Sequence, residues 1–186
     1  MTADSQAVYQ QLLVVRSQLG DRDALAEIVK LWEPRLTYYV RRLLSLEQDA
    51  QQVMQEVWLK VLSGLGKLHD PARFAPWLYT LTRYTVMDHL RDSYTRRQLL
   101  SGDKTEELPD DNDESLRFDD AEQVHYGLSQ ISVVDREVLT LFFLNDLSVS
   151  DVADVLKVPV GTVKSRLYYA RKALFAVLQR QGEVIA

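Results

Sequence analysis

Apolar residues recur at spacings of three and four along most of the chain, and no segment alternates as the face of a sheet does. The pattern predicts helices throughout. Ser5 can cap a first helix that runs to Leu19, and Gly20-Asp21 separates it from a second run. That run carries Leu25, Ile28, Val29, Trp32, Leu36, Tyr39, Val40 and Leu43, with Pro34 inside it, so a kink or a break is expected there. A third helix is predicted over 48–62, where Ala50, Val53, Met54, Val57, Trp58 and Val61 form one stripe. Asp70-Pro71 offers an acidic N-cap followed by proline at the first helical position of a fourth. In that helix Phe74, Trp77, Leu78 and Leu81 share one side. Arg73, Thr80, Tyr84, Met87 and Arg91 share the opposite one.

Beyond the acidic stretch that follows, the spacing repeats a second theme. Ser132 with Asp135, and Ser148 with Asp151, stand at capping-box distance, each before a short apolar helix. Val138, Leu139, Leu141 and Phe142 belong to the first, Val152, Ala153, Val155 and Leu156 to the second, and Asn145-Asp146 marks the turn between them. A break at Lys157-Val158 precedes Pro159, which suits the first turn of a last long helix. There Val163, Leu167, Ala170 and Leu174 face inward. Gly161, Thr162, Ser165, Tyr169 and Lys172 face largely outward, with Lys164 and Arg166 on the flanks. Two helices joined by a tight turn, the second basic and opening with small polar residues, read as a helix-turn-helix.

Charge changes the picture, because the 186 residues carry a formal charge of −5 that is not spread evenly. Residues 103–122 hold 10 acidic and 2 basic groups, whereas 1–102 and 123–186 are net +2 and +1. Self-repulsion and poor burial make 98–120 a flexible acidic linker between a helical domain over 1–97 and another over 121–180. It serves either as a solvated spacer or as a DNA mimic shielding a basic face. From Lys157 to Arg180 there are six basic residues and no acidic one, a run that suits a phosphate backbone. The cationic, ring-bearing side of 72–91 suits an unstacked strand, although packing between helices would explain Trp77, Tyr84 and Met87 equally well.

Composition removes other classes. There is no cysteine, hence no disulfide scaffold, thiolate zinc site or cysteine nucleophile. His69, His89 and His125 are too scattered for a ligand set, and Asp110, Asp111, Asp113 and Glu114 have no calcium-loop spacing. No phosphate loop or nucleophile elbow occurs, so no metal, cofactor or enzymatic activity is expected. Met1–Tyr9 lacks the basic-then-apolar order of a signal peptide and no stretch reaches membrane length, which gives a cytoplasmic expectation. The remaining rivals are a helix-turn-helix regulator acting on duplex operator DNA and a protein-only adaptor.

Four stretches together resemble a known family: RSQLGDRDALAEIVKLWEPRL, DAQQVMQEVWLKVL at 49–62, ARFAPWLYTLTRYTVMDHLR at 72–91, and REVLTLFFLNDLSVSDVADVLKVPVGTVKSRLYYARKAL at 136–174. In this order, split by a variable linker, they are similar to extracytoplasmic function (ECF) sigma factors of bacterial RNA polymerase, the compact class with conserved regions two and four only. The resemblance implies an all-α, two-domain protein that binds core RNA polymerase, directs it to promoter DNA and helps open the minus-ten region, with an anti-sigma factor as a further partner. It implies polymerase contacts at Asp49, Gln52, Gln55, Glu56 and Trp58. For the minus-ten element it implies Arg73, Trp77, Tyr84, Asp88 and Arg91, with Arg96 and Arg97 on nearby backbone. For the minus-thirty-five element it implies Gly161, Thr162, Lys164, Ser165 and Arg166, with Arg171 and Lys172 on phosphates. The chain departs from the family pattern at Gln51-Gln52, where an acidic residue is usual, and at Val149-Ser150, where an aromatic is usual.

Overall fold

The computed structural model describes residues 3–44, 46–100, 120–144 and 147–185. Eight α-helices account for nearly all of them: α1 (Ala3–Gln18), α2 (Arg22–Leu43), α3 (Glu47–Gly64), α4 (Phe74–Leu100), α5 (Asp120–Ser129), α6 (Val133–Leu139), α7 (Val149–Leu156) and α8 (Val160–Ile185). Short 3-10 turns at Leu65–Lys67 and Pro71–Arg73 link α3 to α4, and a π-helical turn at Thr140–Leu144 extends α6. The acidic stretch 101–119 and the Asn145-Asp146 turn lie outside the described residues.

The first unit packs α1, α2, α3 and α4 around Ile28, Trp32, Leu36, Tyr39, Val53, Val57, Leu78 and Tyr79, all nearly inaccessible to water. Rings meet edge to face at its centre: Trp32 stands 5.6 Å from Phe74 and Tyr39 5.4 Å from Tyr79. Asp21 caps α2 by accepting from the amides of Asp23 and Ala24. Those amide bonds, led by Ala24, and the Arg16 guanidinium hold its carboxyl below the usual value.

Of the kink or break expected at Pro34, the break does not occur, since α2 runs unbroken from Arg22 to Leu43. Pro34 lies on the exposed side, where water can serve the carbonyl that loses its partner. The buried stripe from Ile28 through Trp32 and Leu36 to Tyr39 carries the helix past the fault. Asp70 caps as expected, through the Ala72 amide, but it opens a 3-10 turn and α4 starts at Phe74. Of the side predicted to pack, Phe74 and Leu78 are buried and Trp77 and Leu81 half-buried.

In the second unit Ser148 and Asp151 form the full reciprocal capping box, whereas at Ser132 only the hydroxyl-to-amide half is made. Lys157 then turns the chain with φ 56 and ψ 45, in the left-handed region, its amide bonding Ala153 O. This residue makes the turn between α7 and α8. Val163, Leu167 and Ala170 of α8 are buried against α6 and α7, and Leu174 is half-buried.

The units also meet each other. Glu137 of α6 is 4% exposed, and its Oε1 accepts from Arg83 Nε at 2.9 Å and from the Tyr39 hydroxyl at 2.8 Å. Burial first, then the Glu137 charge, holds the Tyr39 phenol far above its usual value. Arg136 donates to Arg42 O at 3.0 Å, and the Tyr38 hydroxyl lies 2.8 Å from His125 Nδ1. Burial lowers the Arg136 guanidinium from its ordinary value.

A left-handed conformation costs an L-residue about 1–2 kcal/mol and glycine almost nothing. Lys157→Gly should therefore raise the denaturant midpoint by the equivalent of about 1 kcal/mol, and Lys157→Val should lower it.

Candidate nucleic-acid interface

The residues singled out on α8 follow from how that helix is started. Pro159 O accepts from the amides of Thr162 at 2.9 Å and Val163 at 3.2 Å, so the amides ahead of them are left for an outside acceptor. Gly161, Lys164, Ser165, Arg171 and Lys172 are exposed, and Thr162 and Arg166 are half-buried. Ser165 bonds back to Thr162 O at 3.0 Å, which fixes its rotamer within the helix. A Cβ at Gly161 would meet nothing within 4 Å, so nothing among the described residues requires glycine there. In a helix this residue costs about 1 kcal/mol relative to alanine. One turn on, Tyr168 and Tyr169 are 55% and 66% exposed, and Lys172 Nζ sits 4.6 Å from the Tyr168 ring centroid. The sequence reading passed over Tyr168, which stands one helical turn beyond Lys164 and Ser165.

On α4 the predicted face divides. Tyr84 is 50% exposed and Arg91 is open, with Asp88 Oδ1 accepting from Arg91 Nη2 at 2.7 Å. Met87 and Thr80 are half-buried. Trp77 packs 5.8 Å from Phe74 and fits against Gly64, where a Cβ would lie 3.2 Å from its Cζ2. It therefore acts as a wedge between α3 and α4. Arg73 belongs to a different set: Nη1 donates to Asp151 Oδ1 at 2.7 Å and Nη2 pairs with Asp154, both on α7. Tyr94, 59% exposed, extends the ring-bearing side toward the helix end and was not anticipated. The side chains of Arg96 and Arg97 lie outside the described residues.

On α3, Gln52 and Gln55 are exposed, and Glu56 is half-buried and bridged to Lys60 at 2.7 Å. Asp49 stands 3.4 Å from His89 Nε2. Trp58 lines a groove of about 320 Å³ between α2 and α3, with Glu33, Thr37, Arg41, Met54 and Gln55. Its indole Nε1 is buried without an acceptor among the described residues. Leu59 and Leu62, missed in the sequence, are 66% and 58% exposed. With Gln52 and Gln55 they make an outward stripe at spacings of three, four and three. The signal was present, since both fall off the stripe of Val53, Val57 and Val61.

Three surfaces on three helices thus face outward: a cationic start of α8, an open half of α4 and an amide-leucine stripe on α3. No group of carboxylates and imidazoles among the described residues could hold a metal ion.

Comparison with known proteins finds two family matches along the chain. Residues 28–96 match the family described as Sigma-70 region 2, and residues 121–174 match Sigma-70, region 4. The chain is 31% identical over 180 residues to the RNA polymerase sigma-H factor of Pseudomonas aeruginosa, covering 91% of this chain and 93% of that protein. It is 26% identical over 181 residues to the ECF RNA polymerase sigma-E factor of Escherichia coli K12, covering 91% and 94%. Among solved structures, the sigma factor RpoE of Bartonella quintana, determined with the anti-sigma factor NepR, has the same fold. The TM-score is 0.68 at 23% identity, over 83% of this chain and 96% of that one. Both conserved modules, in family order and on the helices just described, place this chain among the ECF sigma factors of the sigma-70 family.

Proposed function

We propose that this protein is an alternative sigma factor that docks on core RNA polymerase through α3, reads a duplex minus-thirty-five element with the start of α8, and holds the melted minus-ten strand on the open side of α4. The observation that carries the reading is the outward face of α8. Val160 and Gly161 in its first turn are exposed, a Cβ at Gly161 would meet nothing among the described residues, and the helix carries no acidic residue up to Arg180. A glycine and free amides let a backbone approach the groove and its phosphates, with Lys164 exposed and Arg166 half-buried on the flanks.

The work is capture, and the family membership makes this a specificity subunit without catalytic chemistry of its own. Unstacking a base step costs a few kcal/mol. Tyr84 offers a stacking surface and Arg91 a cation for the strand that results, and polymerase supplies the rest. Trp77 supports this face by holding α4 against Gly64. The amides at Gln51 and Gln52 stand where an acidic residue would be the family habit, so Leu59 and Leu62, exposed on the same helix, carry docking by burial. A regulator acting alone on duplex DNA has no use for that exposed leucine pair. We assign 1–97 to docking and the minus-ten element, 98–120 to the linker and 121–180 to the minus-thirty-five element. An anti-sigma factor is the expected inhibitor, as for the Bartonella quintana relative. No helix among the described residues is long and apolar enough to cross a membrane, and the proposed place of action is the cytoplasm, with polymerase and DNA.

Runoff transcription with purified core polymerase tests the reading: defined starts should appear only when this protein is added. Unchanged starts with and without it would overturn the assignment. Lys164→Ala and Arg166→Ala should each weaken promoter binding by about 1–3 kcal/mol if the lost contact is to a base. If it is to phosphate, the salt slope should fall by about 1 with little change in sequence preference. Leu59→Asp with Leu62→Asp should weaken core polymerase binding about tenfold or more and leave the thermal midpoint unchanged, because both side chains already face water.

A further inference from the structure

Arg73 lies at the start of the α4 face, and its guanidinium is already paired within the protein. Its guanidinium is held by two carboxylates from the other unit, Asp151 and Asp154, which are three residues apart and project from the same side of α7. Asp151 is itself fixed, since its Oδ2 accepts from the Ser148 hydroxyl at 2.6 Å while its Oδ1 faces Arg73. Two carboxylates on a guanidinium supply the planar anionic oxygens that a phosphate would otherwise offer.

We propose that α7 is an intramolecular competitor for the DNA contact at Arg73: in the free protein it occupies the guanidinium and docks the helix-turn-helix unit on α4, and a DNA phosphate must displace it. This rests on the assignment of α4 to the melted strand and adds its regulation.

The rest of the seam explains why such a clasp can hold and still release. Beside the Arg73 site, Glu137 is buried on Arg83 and Tyr39, and Arg136 reaches Arg42 O. Desolvating a carboxylate and a guanidinium offsets much of their attraction, so the buried pair fixes the pose of the second unit more than it adds net stability. At the rim Arg73 is 44% and Asp154 55% exposed, where water, salt and phosphate can all compete. At this rim the contacts across the seam are polar and replaceable, whereas deeper in the buried apolar residues of both units form one core. Two sites on one linked chain must move apart before they can hold separate DNA segments, and affinity for the strand scales in proportion to the fraction of open molecules.

The test uses the full chain. Because it has no cysteine, nitroxide labels can be placed at Arg22→Cys and Gln179→Cys, both exposed and one in each unit. Asp154→Asn leaves the Ser148–Asp151 cap intact and is the first variant; Asp151→Asn with Asp154→Asn is the second, and circular dichroism checks that both stay folded. The binding probe is a fluorescent A/T-rich single-stranded 12-mer. The wild type should give one narrow distance distribution, and both variants broader ones. The 12-mer should bind the double variant about tenfold more tightly if the clasp holds about 90% of free molecules. The gain should shrink as salt rises, because salt loosens the exposed clasp of the wild type while the bound contacts stay the same. Adding Arg73→Ala should remove the gain. A gain that survives Arg73→Ala reflects simple loss of negative charge and overturns the proposal, as does a distance distribution unchanged in the double variant. If no variant, wild type included, binds the 12-mer, the strand-capture role of α4 falls and the competition falls with it. In the two preceding outcomes wild-type binding stays measurable, so that role is untouched.

Discussion

A helix can bury only one stripe of its surface against a core, and in this protein the opposite stripes are where partners must be met. The constraint is most visible on α8, where Val163, Leu167 and Ala170 are sealed and Lys164, Ser165, Tyr168 and Lys172 face out. It recurs on α3, where Val53, Val57 and Val61 are buried and Gln52, Gln55, Leu59 and Leu62 are not. The core therefore orients each binding surface as well as stabilising it. Trp77 joins the two tasks: it sits on a helix assigned to DNA, and its ring fills the space over Gly64.

The second organising feature is the seam between the units, where polar contacts stand beside a shared apolar core. Interfaces between domains of one chain resemble transient protein interfaces and are expected to move unless they are large and apolar. Here the seam turns on a buried carboxylate, a handful of guanidinium contacts and a tyrosine–histidine pair. Such contacts define one pose without making it permanent. A protein that must present two units to distant parts of one DNA molecule needs both properties, a specific resting arrangement and a modest barrier to leaving it.

Much of the fold was legible because its signals are local. The Ser148–Asp151 box, the Asp70 cap and the stripes of α3 and α8 lie within one or two helical turns, and spacing alone reveals them. Pro34 does not end its helix, because tertiary packing outweighs a local breaker on an exposed face. Of the candidate site, the outward positions on α8 and the exposed Tyr84 and Arg91 were readable from angular position along their helices. The clasp on Arg73 was not: its partners are 78 and 81 residues away, and in the sequence they read only as the cap and solvated side of another helix. Leu59 and Leu62 were hidden for a different reason, since an apolar residue in an amphipathic run is assumed to be core until its angle is checked.

The central claim is that two outward helix faces of one chain hold two separate segments of the same DNA while polymerase spans them. Photocrosslinking from Tyr84 and, separately, Lys164 in complexes with core polymerase and one promoter fragment tests it most directly. The account predicts that the Tyr84 position marks the melted strand and the Lys164 position marks duplex well upstream of it. Crosslinks from both positions to one segment, or to none, would contradict it.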